Sequence, residues 1–285
     1  MGFAFVLLGG TTLFGFQWPV EELILTATFA ESRWDHFHTG IDIGGGEQEI
    51  RPVEEGEIVY YYEEGNRRSG IPAGLGNFVV VEHKRDLRSV YAHLEAESFD
   101  PSLIEVNRDT VIGVIGDSGG SYGKHLHLEV IDRELGRFVN PLLLLPPLED
   151  NELPVIRGVH LMGEGYSLTF PTDENISQGR YSLVLDVYDP SEHVSYFCPM
   201  SPFDISVYLN GQEVVRVQYQ GIEEQEGRME LIDSSGVTHE NFYLDEWLVH
   251  VGDLELNAGE TSLEITVKDI AGNETGENLR FSVSN

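Results

Sequence analysis

The sequence predicts an all-β protein, and three observations carry that expectation. Beyond residue 20 the chain is built from short runs rich in Val, Ile, Tyr and Phe, the residues that fit a pleated, half-buried surface. About every eight to twelve residues these runs are cut by Gly, Asn or Asp in turn chemistry. Segments such as HLHLEVI alternate polar and apolar residues, the period of a strand with one face buried. No helical or solenoid repeat is evident, and past the N-terminus no apolar run reaches the roughly 18 residues of a membrane span.

In chain order, MGFAFVLLGGTTLFG is apolar and short, so residues 1–15 read as a signal-peptide remnant. The first basic residue is Arg33, and a buried N-terminal strand is the alternative. GEIVYYY (56–62), NFVVVEH (77–83), SVYAHLE (89–95), VIGVIG (111–116) and HLHLEVI (125–131) are expected as strands. Turn residues bound them, as in LGN before Phe78 and GDSGGSYG before Lys124. In NPLLLLPPLEDNELP (140–154), Pro141, Pro146, Pro147 and Pro154 block regular ladders. The expected division is therefore a first domain over 16–148, a linker over 149–156 and a second β domain over 157–285. There YSLVLDVYD (181–189), DISVYLNGQEVVRVQY (204–219, turning at Asn210-Gly211) and SLEITVKD (262–269) continue the strand pattern. The acidic run GIEEQEGRME (221–230) is expected to be a solvated loop. Asp189 and Asp269 lack an ordered D-x-D-x-D pattern and read as solvated carboxylates rather than a Ca²⁺ site.

Length and charge bound the function. The 285 residues hold 17 Lys+Arg against 49 Asp+Glu, a net charge of −32. Nucleic acid, heparin-like ligands and anionic lipid need basic surface and are excluded as main partners. With 41% hydrophobic and 10% aromatic residues, the chain is no disordered acidic polymer. The single cysteine, Cys198, forbids an intrachain disulfide and reads as a buried, inert thiol in SYFCPM.

The histidines point to chemistry. His36, His38, His83, His93, His125 and His127 fall in the first half, while His160, His193, His239 and His250 are scattered. Strand alternation puts His125, His127 and Glu129 on one face with Leu126 and Leu128 in the core. Imidazoles about 7 Å apart at Cα can then serve one small site, one on a metal and the other on the reacting group. HFHTGIDIGGG offers His38 and Asp42 as nitrogen and oxygen ligands. A straight strand would hold these two about 13 Å apart, so the chain must bend, and Gly40 permits the bend and leaves room for substrate. His, Asp and a strand His make three protein ligands, the count of a catalytic zinc site. No HExxH glutamate is present, so His93 and His125 are the candidates for moving protons.

The residues resemble the lysostaphin-type (LytM-like) zinc endopeptidases of bacterial cell walls. Four elements match in order: His38-Thr-Gly-Ile-Asp42, GNFVVVEH, Tyr91-Ala-His93-Leu, and GDSGGSYGKHLHLEV ending in His125-Leu-His127. The resemblance runs from about Phe16 to Pro141. It implies that His38, Asp42 and His127 bind Zn²⁺, that His93 and His125 act on water and the tetrahedral intermediate, and that the domain is an antiparallel β-sheet with the metal in a groove. GGGEQEIRPVEEG and the long YYEEGNRRSGIPAGLGN depart from the family pattern in segments that shape that groove. VKDIAGNET (267–275) resembles the closing strand and turn of bacterial immunoglobulin-like modules, which implies a C-terminal β-sandwich.

Around this set, His36 reads as an exposed loop residue and His83 as structural. Glu129 either orients a ligand imidazole or faces solvent. Arg33 forms a structural ion pair in preference to binding a substrate carboxylate, and Tyr91 packs in the core in preference to steadying an oxyanion. The expectation is a periplasmic or secreted zinc endopeptidase acting on peptidoglycan peptides, without an integral membrane span in the mature chain. Its C-terminal module would position or shield the site or meet an envelope protein. The alternative is a non-catalytic regulator that binds wall or activates another hydrolase, in which lost ligands are expected.

Overall fold

The computed structural model describes residues 15–64, 74–172, 174–191, 200–234 and 236–285. The signal-remnant reading of the N-terminus falls almost wholly outside these residues, as does Cys198.

The alternating runs of the first half form β1 (Leu25–Ala27), β2 (Ile41–Ile43), β3 (Glu49–Ile50), β4 (Gly56–Tyr62), β5 (Phe78–Glu82), β6 (Leu87–Ala92), β7 (Glu105–Val106), β8 (Gly113–Val114), β9 (Leu126–Asp132) and β10 (Arg137–Val139). An antiparallel sheet runs β10-β9-β6-β5-β4-β7, with β2 pairing to β9 and β1 to β2. The run VIGVIG forms only the two residues of β8 as strand, because Ile112 and Ile115 bond singly to the backbone of Ile50 and Gln48. In β9, Leu126, Leu128 and Val130 point into the core at 0% exposure; a side chain buried that fully contributes about 1.5–3 kcal/mol. The alternation turns His127 and Glu129 to the other face, where both are also buried. Register then builds the site, since His127 stands opposite Asp42 on β2 and opposite Ala92, the residue before His93, on β6.

The second half forms β11 (Val155–Gly163), β12 (Tyr166–Phe170), β13 (Ile176–Ser177), β14 (Gly179–Tyr188), β15 (Asp204–Leu209), β16 (Gln212–Gln218), β17 (Gly221–Gln225), β18 (Arg228–Leu231), α1 (His239–Phe242), β19 (Leu248–Leu256), β20 (Gly259–Lys268) and β21 (Glu274–Ser284). One sheet is β12-β11-β14-β19 and the other β13-β21-β20-β15-β16. Leu161, Leu183 and Leu185 of the first share a buried cluster with Ile205, Val207 and Ile265 of the second. The hairpin at Asn210-Gly211 has φ of 52° and 78° at its two central residues, the left-handed pair that Asn-Gly favours.

One expectation is overturned. The acidic segment 221–230 is the β17–β18 hairpin, and β17 pairs antiparallel with β10, extending the first sheet. Ile222 and Leu231 are buried beneath it, while Glu224 and Glu226 stay exposed. The density of carboxylates hid a small apolar face, which the partly buried Met229 completes. Side-chain and ring contacts add to this join. Thr28 exchanges hydrogen bonds with the Ser201 backbone (3.1 and 3.3 Å), and the Tyr243 hydroxyl donates to the Ala30 carbonyl at 2.9 Å. Phe37 packs edge-on against His239 and Tyr243.

Candidate metal centre

His38 ends a loop whose path is fixed by its own backbone. Ala30 N donates to His38 O and His38 N to Glu31 O, each at 2.8 Å, and Ser32 bridges Phe37. C-terminal residues therefore hold this loop through Ala30, Thr28 and Phe37. From His38 the chain turns into β2 at Gly40. A Cβ on Gly40 would lie 2.4 Å from the Leu128 carbonyl oxygen and 2.9 Å from His127 Cε1. Its missing side chain serves the close approach of β2 to β9, and the room it leaves is filled by the protein; this corrects the expectation that the space is for substrate.

The loop, β2 and β9 bring three donor atoms together. His38 Nε2 lies 3.1 Å from Asp42 Oδ1 and 3.0 Å from His127 Nδ1, and His127 Nδ1 lies 2.9 Å from Asp42 Oδ1. Proton bookkeeping shows what these atoms can do. His38 Nδ1 faces the Thr28 carbonyl at 2.7 Å, an acceptor only, so the neutral ring carries its proton there and Nε2 is bare. His127 Nε2 faces Glu129 Oε1 at 3.2 Å, so its neutral ring leaves Nδ1 bare. Three acceptors then converge with no donor among them, an arrangement that calls for a cation. His38, Asp42 and His127 can hold a metal ion.

The electrostatics agree. Burial would raise the Asp42 carboxyl, but when the imidazoles are protonated the charge of His38 and hydrogen bonds from both rings hold it well below the usual range. Burial would lower His127, yet the hydrogen bonds and charges of Asp42 and Glu129 outweigh it and push it up to about 9. A positive charge at this point is thus favoured, whether a proton or a metal supplies it.

Around the centre, Arg33 donates to Asp42 Oδ2 at 2.8 Å and to Glu31 Oε2 at 3.1 Å. It is a structural ion pair and leaves Oδ1 for the centre. Thr39 donates to Glu129 Oε1 at 2.5 Å, so Glu129 is buried against His127 and does not face solvent. His93 sits at φ 61° just past β6, which breaks the strand alternation. His93 and Tyr91 therefore do not share a face. Tyr91 is fully buried, with its hydroxyl accepting from Val53 N and Ser89, and it is not placed to touch an oxyanion. His93 Nδ1 faces the Ser118 carbonyl at 2.8 Å, and its ring centre is 4.7 Å from that of His125 and 5.8 Å from that of His127. His125 Nδ1 faces the Gly123 carbonyl at 2.9 Å, and its Nε2 is 3.7 Å from Asp42 Oδ1. Burial, with the neighbouring His125, pulls His93 down to about 4, so it is uncharged at neutral pH. His36 is exposed beside Asp35, and His83 is buried between the Glu55 carbonyl and Ser89.

Several contributors carried no local signal. Thr28 and Ser118 act through backbone carbonyls, Thr39 through a side chain that meets Glu129 only once the sheet has formed, and Glu31 through short-range bonds to Thr28 and Arg33 within its own loop. Two exposed aromatics, Trp34 and Tyr122, stand on the loops leading to His38 and His125.

Residues 36–141 match the family model described as Peptidase family M23, and a second family model covers residues 153–284. The chain is 34% identical over 111 residues to the DD-carboxypeptidase/endopeptidase Mpg of Neisseria meningitidis, across 39% of this chain and 23% of that protein. It is 33% identical over 137 residues to the murein hydrolase activator NlpD of Escherichia coli, across 48% of this chain and 32% of that protein. The matches thus span less than a third of either relative's length. A zinc containing peptidase from Vibrio cholerae aligns over 47% of this chain and 41% of that one, at TM-score 0.38 and 23% identity. Over residues 36–141, which carry His38, Asp42, His93, His125 and His127, the chain is a Peptidase family M23 domain.

Proposed function

We propose that this chain is a zinc-dependent endopeptidase that hydrolyses amide bonds in peptidoglycan cross-links or stem peptides. The observation that carries the reading is the triangle of bare donors, whose edges are 2.9, 3.0 and 3.1 Å. Donors about 2.0–2.1 Å from one tetrahedral zinc lie about 3.3–3.4 Å apart, so the triangle has only a few tenths of an ångström to open. Two imidazoles and one carboxylate also leave the fourth position free, as a catalytic site requires. Zinc held there would polarise a scissile carbonyl and make a water molecule acidic enough to attack near neutral pH.

The protein's own residues divide the remaining work. Arg33 fixes one oxygen of Asp42, and the Thr39–Glu129 pair fixes the tautomer of His127. His93 and His125 each give their Nδ1 proton to a carbonyl and keep a bare Nε2. An uncharged His93 accepts the proton of the attacking water, and the imidazolium so formed steadies the oxyanion of the tetrahedral intermediate. The C-terminal β domain, whose closing strand reads as that of an immunoglobulin-like module, holds the His38 loop in place through Ser201, His239 and Tyr243.

The wall substrate is carried over from the relatives' names, and with it a periplasmic or secreted place in the cell envelope. No helix among the described residues is long and apolar enough to cross a membrane. Similarity to NlpD favours a second reading, a regulator that activates another hydrolase. Against it stands the filled set of five chemistry positions. Zinc content tests the first reading. One zinc per purified chain, lost in His127→Ala while the fold persists by circular dichroism, is expected; a chain that takes up no stoichiometric zinc contradicts it.

A further inference from the structure

Three carboxylates meet where the linker enters the C-terminal domain. Asp150 precedes β11, Asp189 follows β14 and Asp269 follows β20. Each offers an oxygen, and these lie within 4.8 Å of one another. β14 and β20 belong to different sheets, so one shared partner would tie the linker to both layers.

Asp189 and Asp269 are not solvated acids, contrary to the sequence expectation. Asp189 is 4% exposed and Asp269 2%. Asp269 is held by its own turn, with Oδ1 accepting from Gly272 N and Asn273 N (2.6 and 2.8 Å) and Oδ2 from Asn273 Nδ2 at 2.7 Å. The same Asn273 Nδ2 donates to the Asp150 carbonyl at 3.1 Å, which anchors the linker beside it. Asp189 is different: its Oδ1 is buried and has no hydrogen-bond partner among the described residues. A buried carboxylate oxygen without a donor, facing two further carboxylates, is costly unless a cation completes it. Burial, followed by the charges of Asp269, Asp150 and Glu31, pushes the Asp189 carboxyl up to about 8.

We propose that Asp150, Asp189 and Asp269 bind one calcium ion that staples the linker to both sheets of the C-terminal domain. The donor set is oxygen only, which suits a hard cation and offers zinc neither nitrogen nor sulfur. Calcium takes about six to eight oxygens in flexible geometry, whereas magnesium demands near-ideal octahedral geometry and usually keeps several waters beside one or two carboxylates. Three carboxylates gathered at one point therefore suit calcium more easily. Water completes the shell. The staple also reaches the first domain. Asp189 and Met200 exchange backbone hydrogen bonds at 2.7 and 3.0 Å, Ser201 bonds Thr28, and the Thr28 carbonyl holds His38.

The test uses the full chain, stripped on chelating resin and reloaded with one equivalent of zinc. Thermal unfolding and titration calorimetry are run with calcium chloride and, separately, magnesium chloride. Expected are one calcium per chain and a melting temperature raised by about 5 °C or more when calcium exceeds its Kd about a hundredfold. Asp189→Asn and Asp269→Asn should each abolish the rise. Asp189→Asn is isosteric and removes a buried charge, so it should fold and melt at or above the calcium-free wild type. His127→Ala should keep the calcium response, which separates this site from the zinc reading. The proposal is overturned if wild type shows no calcium-dependent shift, if Asp189→Asn keeps it, if magnesium matches calcium, or if His127→Ala removes it.

Discussion

Gly40→Ala probes how the fold makes the centre, because the added methyl falls on the contact that joins β2 to β9. It would stand 2.4 Å from the Leu128 carbonyl oxygen and 2.9 Å from His127 Cε1. Ordinary carbon contacts are about 3.5–4.0 Å, so the strands must separate by about 1 Å or the His127 ring must swing away. Overpacking of this kind costs about 1–3 kcal/mol, and the lower chain entropy of alanine in the unfolded state returns about 0.4–1 kcal/mol. A net loss of about 1–2 kcal/mol and a melting temperature lower by about 2–8 °C are expected. Zinc should suffer more than the fold. Asp42 pairs with His127 across this contact, and a shift of about 1 Å is half a zinc–ligand bond, so affinity should fall at least 100-fold. Urea melts and zinc competition with a chromogenic chelator read the two effects. Gly74→Ala is the control, since a Cβ there meets nothing within 4 Å. Wild-type stability and zinc affinity in Gly40→Ala would refute the close-approach reasoning.

Four further outcomes are expected. Glu129→Ala leaves His127 Nε2 and Thr39 without their acceptor, so zinc affinity should fall about 10–100-fold by competition titration. His93→Ala should keep stoichiometric zinc but lose about 10²–10⁴ in kcat on wall peptides, measured by amine release. Tyr243→Phe removes the hydrogen bonds to Ala30 and Ser201, which should cost about 1 kcal/mol in a urea melt. Asp253 is held at about 2 chiefly by Ser182, with Arg180 and His250 adding. A lowered folded pKa stabilises above the unfolded value, and that stability is lost as pH falls from about 4 to 2. After allowance for its partial exposure, Asp253→Asn should cost about 1 kcal/mol at pH 6–7 and nothing at pH 2, seen in the pH dependence of thermal unfolding.

Legibility of the fold followed the range of the interaction. The alternation in HLHLEVI was enough to put His127 and Glu129 on one face of β9, and the Asn210-Gly211 turn follows from two residues alone. The meeting of His38, Asp42 and His127 was also accessible, because histidine and aspartate around a glycine in one segment and paired histidines in another are a recognisable pattern. What failed to show was non-local. The β17–β18 hairpin reads as acid loop because its inward face is small, Ile222 and Leu231 with the partly buried Met229, and its partner β10 lies about 80 residues earlier in the chain. Gly40 looked like space for substrate because nothing in its neighbourhood reveals that Leu128 will press against it. The positive φ of His93, just past β6, has no signal in the strand-like run SVYAHLE. Asp150, Asp189 and Asp269 are far apart in sequence and form a cluster only through the packing of two sheets and a linker.

Catalysis on wall peptides is tested most directly by mass spectrometry of muropeptides after incubating purified sacculi with the zinc-loaded full chain and, in parallel, with His127→Ala. The expected result is a set of fragments with new amine and carboxyl ends, dependent on zinc and absent with the variant. Intact muropeptides at saturating zinc, from a chain that nonetheless accelerates a separately added wall hydrolase, would contradict catalysis and establish the regulator.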